Sequence, residues 1–197
     1  MLTVSVQAGG RSTRLPGDKA LMPLAGKPLI EHVLRRVEGL GDELMITTNR
    51  PEAYEYLGVR LVSDADPGAG TLAGLQTALQ AARGETILVV ACDMPFVQHG
   101  VLDHMLGLAK DAEVVVPRRG EFYEPLQAVY ARRCLPAIGR ALEADEKRVV
   151  SFFPDVIVRT VEDDVLDKLD PAGLSFFNVN TPEDLEKAEA MLRAGTS

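Results

Sequence analysis

The chain has 197 residues, of which 46% are hydrophobic and 25% charged, a balance that suits a globular protein with a sizeable core and excludes extensive disorder. Its formal net charge of −8 argues against a nucleic-acid-binding surface, which needs a basic field. The length fits one α/β core better than two, no apolar run is long enough to span a bilayer, and residues 1–6 lack the basic leader of a signal peptide, so a cytoplasmic setting away from membranes is expected. Cys92 and Cys134 are far apart and belong to no CxxC pair; they are expected to be reduced and inert.

In chain order, residues 2–7 are a β-rich run that predicts the first strand. Directly behind it comes Gln7-Ala8-Gly9-Gly10-Arg11-Ser12-Thr13-Arg14-Leu15-Pro16-Gly17-Asp18-Lys19-Ala20-Leu21. Gly9 and Gly10 let a ligand approach the backbone, whose free N–H groups can line an anion-binding concavity, and Arg11, Arg14 and Lys19 add cations for a polyphosphate. A Gly-Gly pair after a strand also serves as a plain turn. Leu29, Ile30, Val33, Leu34 and Val37 have helical spacing and predict a helix over 28–38, with Pro28 in its first turn. Strands follow over 43–48 and 59–63, with a short helix over 51–57 between them. The Ala- and Leu-rich stretch 71–82 predicts a helix. The nearly all-apolar run 86–91 has the character of a central parallel strand buried on both faces. A helix over 101–108 and a strand over 113–117 continue the alternation.

Beyond Pro117 the pattern weakens. Arg118-Arg119-Gly120 reads as a hairpin tip and 126–130 as a returning strand, with helices over 134–143 and 147–153 and strands over 156–161 and 176–179. Thr181-Pro182-Glu183-Asp184 then supplies a helix start, with an N-cap, a proline at the first position and acids in the first turn; the helix runs to about Arg193. The expected fold is α/β: a single domain over 1–197 with a Rossmann-like, mostly parallel sheet and helices on both faces. Residues 1–117 form the nucleotide-binding half and 118–197 elaborate the same sheet. Ligands bind such sheets beyond the carboxyl ends of the strands, where Gln7, Asn49, Asp64 and Asp93 all stand.

Two familiar phosphate loops fail on spacing. No GxGxxG follows Gly9-Gly10, and around Gly26-Lys27 a Walker A loop would need glycine where Leu21 stands and a hydroxyl where Pro28 stands. A long loop wrapping the phosphates, with Lys19 reaching in from its far end, is the remaining arrangement. Asp93, right after the apolar strand, suits Mg²⁺ as a hard carboxylate ligand; it reads equally as a helix N-cap or turn residue. Asn178 and Asn180 straddle Val179 in a strand-like run, pointing to one face where they can complete a metal or phosphate shell, or else act as turn residues ahead of Thr181. His32, His99 and His104 share no spacing with a nucleophile and read as structural or surface residues.

Ala8-Gly9-Gly10-x-Ser12-x-Arg14, Asp18-Lys19-Ala20-Leu21, Asp93-Met94-Pro95-Phe96 and Phe177-Asn178-Val179-Asn180-Thr181-Pro182-Glu183-Asp184-Leu185 together resemble the molybdenum cofactor guanylyltransferases of the MobA type. Gly26-Lys27-Pro28, Gly70-Thr71-Leu72-Ala73-Gly74 and Glu124-Pro125-Leu126 add to the likeness, which covers almost the whole chain. Gln7 stands where the family favours leucine, and Leu15-Pro16-Gly17 replaces its usual Met-Gly stretch. The resemblance implies a nucleotide-diphospho-sugar transferase-like fold and transfer of GMP from MgGTP to molybdenum-bearing molybdopterin, with pyrophosphate released. It implies that the backbone of Gln7, Ala8, Gly9 and Gly10, together with Asp64, holds the guanine. Lys19 would hold the phosphates, Asn49 the nucleotide and Asp93 the metal, with Asn178 and Asn180 on the acceptor side. It further implies transient contact with proteins of molybdenum cofactor biosynthesis or insertion. A phosphate nucleophile is already anionic, so no general base is needed; catalysis would consist of alignment and of charge neutralisation by Arg14, Lys19 and Mg²⁺ on Asp93. The alternatives are a cytidylyltransferase for the same pterin, another nucleotidyltransferase of this fold, and a non-catalytic nucleotide-binding protein.

Overall fold

The strand-helix alternation is realised in a computed structural model that describes residues 1–9, 18–63 and 70–195. The elements are β1 (Leu2–Ala8), the short hairpin β2 (Pro23–Leu24) and β3 (Lys27–Pro28), α1 (Leu29–Val37), β4 (Glu43–Thr48), β5 (Arg60–Ser63) and α2 (Thr71–Ala81). They continue with β6 (Thr86–Ala91), α3 (His99–Leu108), β7 (Val114–Arg119), β8 (Phe122–Tyr123), β9 (Gln127–Ala131), α4 (Leu135–Glu143), β10 (Val158–Val161), α5 (Asp163–Leu169) and α6 (Pro182–Arg193).

The sheet order is β10-β7-β9-β6-β1-β4-β5, with β8 paired to β7. β1 pairs in parallel with β4 and β6, β4 with β5, and β7 with β10, whereas β9 lies antiparallel between β6 and β7. The alternating side chains of these strands feed two cores. Val4, Val6, Leu88, Val90 and Val115 meet Ile30, Val33, Val101, Leu102, Met105 and Leu166 on the face covered by α1, α3 and α5. Ile87, Val89, Val114, Ala128 and Tyr130 meet Leu72, Leu75, Leu79, Ile138, Phe152 and Phe153 on the other. A third, smaller cluster seats α6 on the β2–β3 hairpin through Leu24, Leu29, Phe96, Val179 and Ala188.

Several expectations are corrected. Residues 176–179 form no strand. Both neighbours of β6 are already taken by β1 and β9, and this segment instead packs Val179 and Phe177 into the α6 cluster, with the Val179 N–H donating to the Asp93 carbonyl at 3.0 Å. The helices expected over 51–57 and 147–153 are 3₁₀ turns, Pro51–Ala53, Glu55–Leu57 and Val149–Asp155, the last with Pro154 inside it. α5 was not expected, because four of its seven residues are charged and its apolar face is narrow. Pro28 is the N-cap of α1, its backbone still extended in β3. The start of α6 is as read: Thr181 and Asp184 close a reciprocal capping box. Cys92 and Cys134 are free and buried, and burial pushes the Cys134 thiol up to about 12, so the thiolate is not formed near neutral pH.

At the end of the sheet opposite the site, Glu43 on β4 collects donors from three other segments. Its carboxylate accepts from the Thr3 hydroxyl at 2.7 Å, the Arg83 N–H at 2.8 Å and the Arg60 guanidinium at 2.5 Å, which joins β1, β4, β5 and the α2–β6 connection. Burial alone would raise the pKa of this carboxyl, but these bonds outweigh it and hold the pKa below the usual carboxylate value. A depressed folded-state pKa contributes stability that is present above the unfolded value of about 4.3 and is lost as pH falls through the folded value. Glu43→Ala is therefore expected to cost about 3 kcal/mol at pH 7, since it strands buried donors. Urea titrations should show the difference from the native chain shrinking below about pH 4.

Candidate active site

The strand ends bring the sequence-selected residues to one rim. Where β1 stops, its last carbonyls are taken by neighbours: Gln7 O accepts from the Cys92 N–H at 3.1 Å, Ala8 O from the Thr48 hydroxyl at 3.1 Å, and Gly9 O from Asn49 Nδ2 at 3.2 Å. A Cβ placed on Gly9 would meet, among the described residues, the Asn49 amide at 3.8 to 3.9 Å, an ordinary contact. The Gln7 side chain lies along the sheet, its Nε2 donating to Ser5 Oγ at 3.1 Å. Gly10, Arg14 and Asp64 lie outside the described residues.

Asp18 sets the position of Lys19. Its Oδ1 accepts from the Ala20 N–H at 3.1 Å, starting the Lys19–Leu21 turn, and its Oδ2 accepts from the Tyr54 hydroxyl at 2.7 Å, with Arg50 at 3.7 Å. Tyr54 is fully buried, and burial followed by the Asp18 charge pushes its hydroxyl far above the normal range, so it stays a donor. Lys19 then forms an ion pair with Asp93 Oδ2 and donates to Asn180 Oδ1 at 2.5 Å. The Lys19 and Asp93 side chains are only 13% and 18% exposed.

Asp93 does not cap a helix, since α3 begins at His99 behind Gln98. Its Oδ1 is buried with no hydrogen-bond partner among the described residues. A buried, unpartnered carboxylate oxygen is a hard donor suited to Mg²⁺, which takes one or two carboxylates and fills its remaining positions with water and phosphate. No group of three acidic, histidine or cysteine side chains that could hold a metal occurs among the described residues, which fits such a sparse site and not a closed protein cage. Asn178, whose Nδ2 donates to Phe176 O at 3.1 Å, lines the same cleft as Asp93.

Beyond Asp93 opens a cleft of about 380 Å³, lined among others by Asp93, Asn178, Phe122, Tyr123, Glu124 and Arg148. Burial, and secondarily the negative charge of Asp93, raises the pKa of Glu124. A larger hollow, about 460 Å³ between α1 and the Tyr56 turn, touches none of the strand-end residues and has no part in this site. No helix among the described residues is long and apolar enough to cross a membrane.

Residues 4–156 match the MobA-like NTP transferase domain family. The chain belongs to that family. It is 38% identical to a probable molybdenum cofactor guanylyltransferase of Pelotomaculum thermopropionicum, over 94% of this chain and 91% of that one. It is 37% identical to the molybdenum cofactor guanylyltransferase of Desulfosudis oleivorans, over 98% and 97%. The crystal structure of molybdopterin-guanine dinucleotide biosynthesis protein A from Archaeoglobus fulgidus superposes with a TM-score of 0.84 at 29% identity, covering 98% of this chain and 99% of that one. The protein is thus a MobA-like nucleotidyltransferase.

Of the residues selected from the sequence of this MobA-like chain, Lys19, Asp93 and Asn180 touch directly, Gly9 and Asn49 pair on one flank, and Asn178 lies on the other. Gln7 and Ala8 join the rim through their main chain. Two residues were missed. Tyr54 carried no local signal, because its bond to Asp18 spans 36 positions. Glu124 stood inside the Glu124-Pro125-Leu126 likeness, but was given no role. Removing the Tyr54 hydroxyl leaves Asp18 one donor short beside Lys19. Tyr54→Phe is expected to cost about 1 kcal/mol of stability and to weaken nucleotide binding severalfold, read by thermal unfolding and by calorimetric titration of GTP with Mg²⁺.

Proposed function

We propose that this nucleotidyltransferase moves GMP from MgGTP to the phosphate of a molybdenum-bearing molybdopterin, giving molybdopterin guanine dinucleotide and pyrophosphate. The single observation behind the reading is the placement of Asp93. Its buried free oxygen stands beside the Lys19 ammonium, between the strand-end rim and the second cleft. The choice of base and acceptor draws on the names of the relatives at 37 to 38% identity.

In this reading the rim takes the nucleotide: the main chain of Gln7, Ala8, Gly9 and Gly10 with Asp64 holds the guanine, and Asn49 the nucleoside. Arg14 and Lys19 meet the phosphates. The acceptor lies across Asp93 with Asn178 and Asn180 beside it. A phosphate oxygen of the pterin attacks the α-phosphorus, the bond from that phosphorus to the bridging oxygen breaks, and pyrophosphate leaves with the electron pair. The attacking oxygen is anionic throughout, so the protein moves no proton. Lys19, which Asp93 and Asn180 hold in place without substrate, offers its ammonium to the charge that develops on the phosphates. Mg²⁺ held by Asp93 would neutralise the same charge. The protein's part is therefore to bring two polyanions into line and to compensate their repulsion, which is the larger share of the barrier in a reaction of this kind.

Asp93→Asn keeps the shape and removes the charge. It is expected to lower turnover a hundredfold or more, on the scale of losing one transition-state contact, while the circular dichroism spectrum stays that of the native chain. In a thermal-shift series with Mg²⁺, GTP should stabilise the native protein above CTP, ATP and UTP at equal concentration. Greater stabilisation by CTP would overturn the guanylyl assignment, and native-like turnover in Asp93→Asn would remove Asp93 from the mechanism.

A further inference from the structure

Glu124 offers the cleft a carboxylate that has no hydrogen-bond donor among the described residues. Its main-chain N–H donates to Pro117 O at 2.9 Å and its carbonyl accepts from the Gln127 N–H at 3.1 Å. The following Pro125 carbonyl accepts from the Tyr130 hydroxyl at 2.6 Å. The side chain is half-buried, lines the second cleft, and hydrogen-bonds to none of the described residues. Burial and the Asp93 charge both disfavour its ionised form, and the Arg119 charge only partly offsets them. A half-buried carboxylate that lines a cleft on a fixed main chain can exchange water for the donors of a ligand at little cost in ordering.

The cleft also carries an aromatic face. Phe122 is 76% exposed at the end of the β7–β8 hairpin, which turns on Gly120 at φ +57°. The hairpin is pinned to α5. Arg119 pairs with Asp163 at 3.2 Å and Asp167 at 2.5 Å, and the Gly120 N–H donates to Asp163 Oδ2 at 2.9 Å. An exposed ring on a braced tip that lines one cleft with Tyr123 and the Glu124 carboxylate suits a flat heterocycle with two adjacent N–H donors on one edge. The 2-amino-4-oxo pyrimidine ring of a pterin has that edge: N3–H and one 2-amino hydrogen lie side by side, matching a carboxylate as the fork of a guanidinium does.

We infer that Glu124 reads the 2-amino-4-oxo edge of the pterin acceptor through two parallel hydrogen bonds while Phe122 covers the face of its ring. This rests on the reading above that the acceptor is a pterin. Guanine presents the same pair of donors. The sheet order separates the two, because Gly9 and Asn49 stand past β1 and β4 on one side of Asp93, and Glu124 stands ahead of β9 on the other. Glu124 is accordingly a specificity residue for the acceptor and leaves the nucleotide alone.

The test uses the full chain and fluorescence titration at pH 7 with 6-hydroxymethylpterin and with 6-hydroxymethyllumazine, in which a 2-oxo group replaces the 2-amino group. GTP and ITP, which differ by the same 2-amino group, are titrated in parallel by calorimetry with Mg²⁺. The native protein is expected to prefer the pterin by roughly tenfold or more, since the lumazine sets a carbonyl oxygen against the carboxylate. Glu124→Gln should abolish or reverse that preference, because the amide offers one acceptor and one donor, which match the lumazine edge. Its preference for GTP over ITP should equal that of the native chain. Phe122→Ala should weaken both pteridines equally and leave their ratio unchanged. A Glu124→Gln variant that keeps the native pterin preference overturns the inference and leaves the transferase reading standing. A variant that changes the GTP to ITP ratio instead assigns Glu124 to guanine and overturns it too. If the native protein binds GTP but neither pteridine, the pterin acceptor itself falls, and this inference with it.

Discussion

The ammonium of Lys19 is where the architecture closes on itself. It holds Asp93, 74 positions away, and Asn180, 161 positions away, so the segment before the β2–β3 hairpin, the end of the central strand β6 and the approach to α6 are joined at one charge. Each partner is fixed from behind by a different means. Asp18, held by the buried Tyr54 hydroxyl, sets the turn that carries Lys19, while Asp93 sits at the exit of a strand paired on both sides. Asn180 precedes a helix whose capping box leaves little freedom to its first residues, and its own N–H donates to Asp184 Oδ2 at 3.1 Å. A weakly exposed ion pair of this kind is demanding on geometry, because removing either partner leaves the other charge uncompensated. The supporting contacts are thus part of the site.

The topology explains why Asp93 stands where the strand-end rim meets a second wall. The parallel strands β5, β4, β1 and β6 all end on the same rim, which places Gly9, Asn49 and Asp93 in a row. Had a parallel strand followed β6, its end would have extended that row. Instead β9 runs antiparallel beside β6, so the chain arrives at this rim by way of residues 120–126 before entering β9. The β7–β8 hairpin and the Glu124-Pro125-Leu126 stretch therefore rise next to Asp93 and form the wall of the second cleft. A single reversal of strand direction converts a one-sided rim into a site with two sides, which is the shape a group transfer between two substrates requires.

How much of this could be read in advance depended on how local the causes were. The central strand was plain from the apolar run Thr86–Ala91, and α6 from Thr181, Pro182 and Asp184, because both signals sit within a few residues of what they specify. Lys19, Asn49, Asp93, Asn178 and Asn180 were legible as candidates from their place after strands or within motifs. Their contacts were not, since each bond depends on register between distant segments. The false strand at 176–179 shows the same limit from the other direction. Alternation of Phe177, Asn178, Val179 and Asn180 reports correctly that two side chains pack inward, Val179 buried and Phe177 half-buried, but packing against α6 and packing in a sheet leave the same trace in sequence. α5 went unnoticed because only its Val165, Leu166 and Leu169 are apolar.

Three carboxylates in partly desolvated surroundings separate structural from functional use. Glu43 is satisfied by Thr3, Arg60 and Arg83, so its pKa falls and it binds the far end of the sheet together. Among the described residues, Asp93 is hydrogen-bonded on one oxygen only, and the half-buried Glu124 carboxylate on neither. The chain could have neutralised both with the arginines it spends elsewhere: Arg118 and Arg119 lie in the adjoining strand, yet their ion pairs are with Glu162, Asp163 and Asp167 of the β10–α5 region. Those pairs brace the hairpin and engage both guanidiniums on the α5 side, while Arg148 is the arginine that lines the cleft. A buried oxygen left unmet, as Asp93 Oδ1 is among the described residues, weakens stability by about 1 to 3 kcal/mol. Such a deficit is sustained where a ligand repays it, and here Asp93, Glu124 and Asn178 line a single cleft. The distribution of satisfied and unsatisfied carboxylates thus points to the same half of the rim as the strand topology does, by a physically independent route.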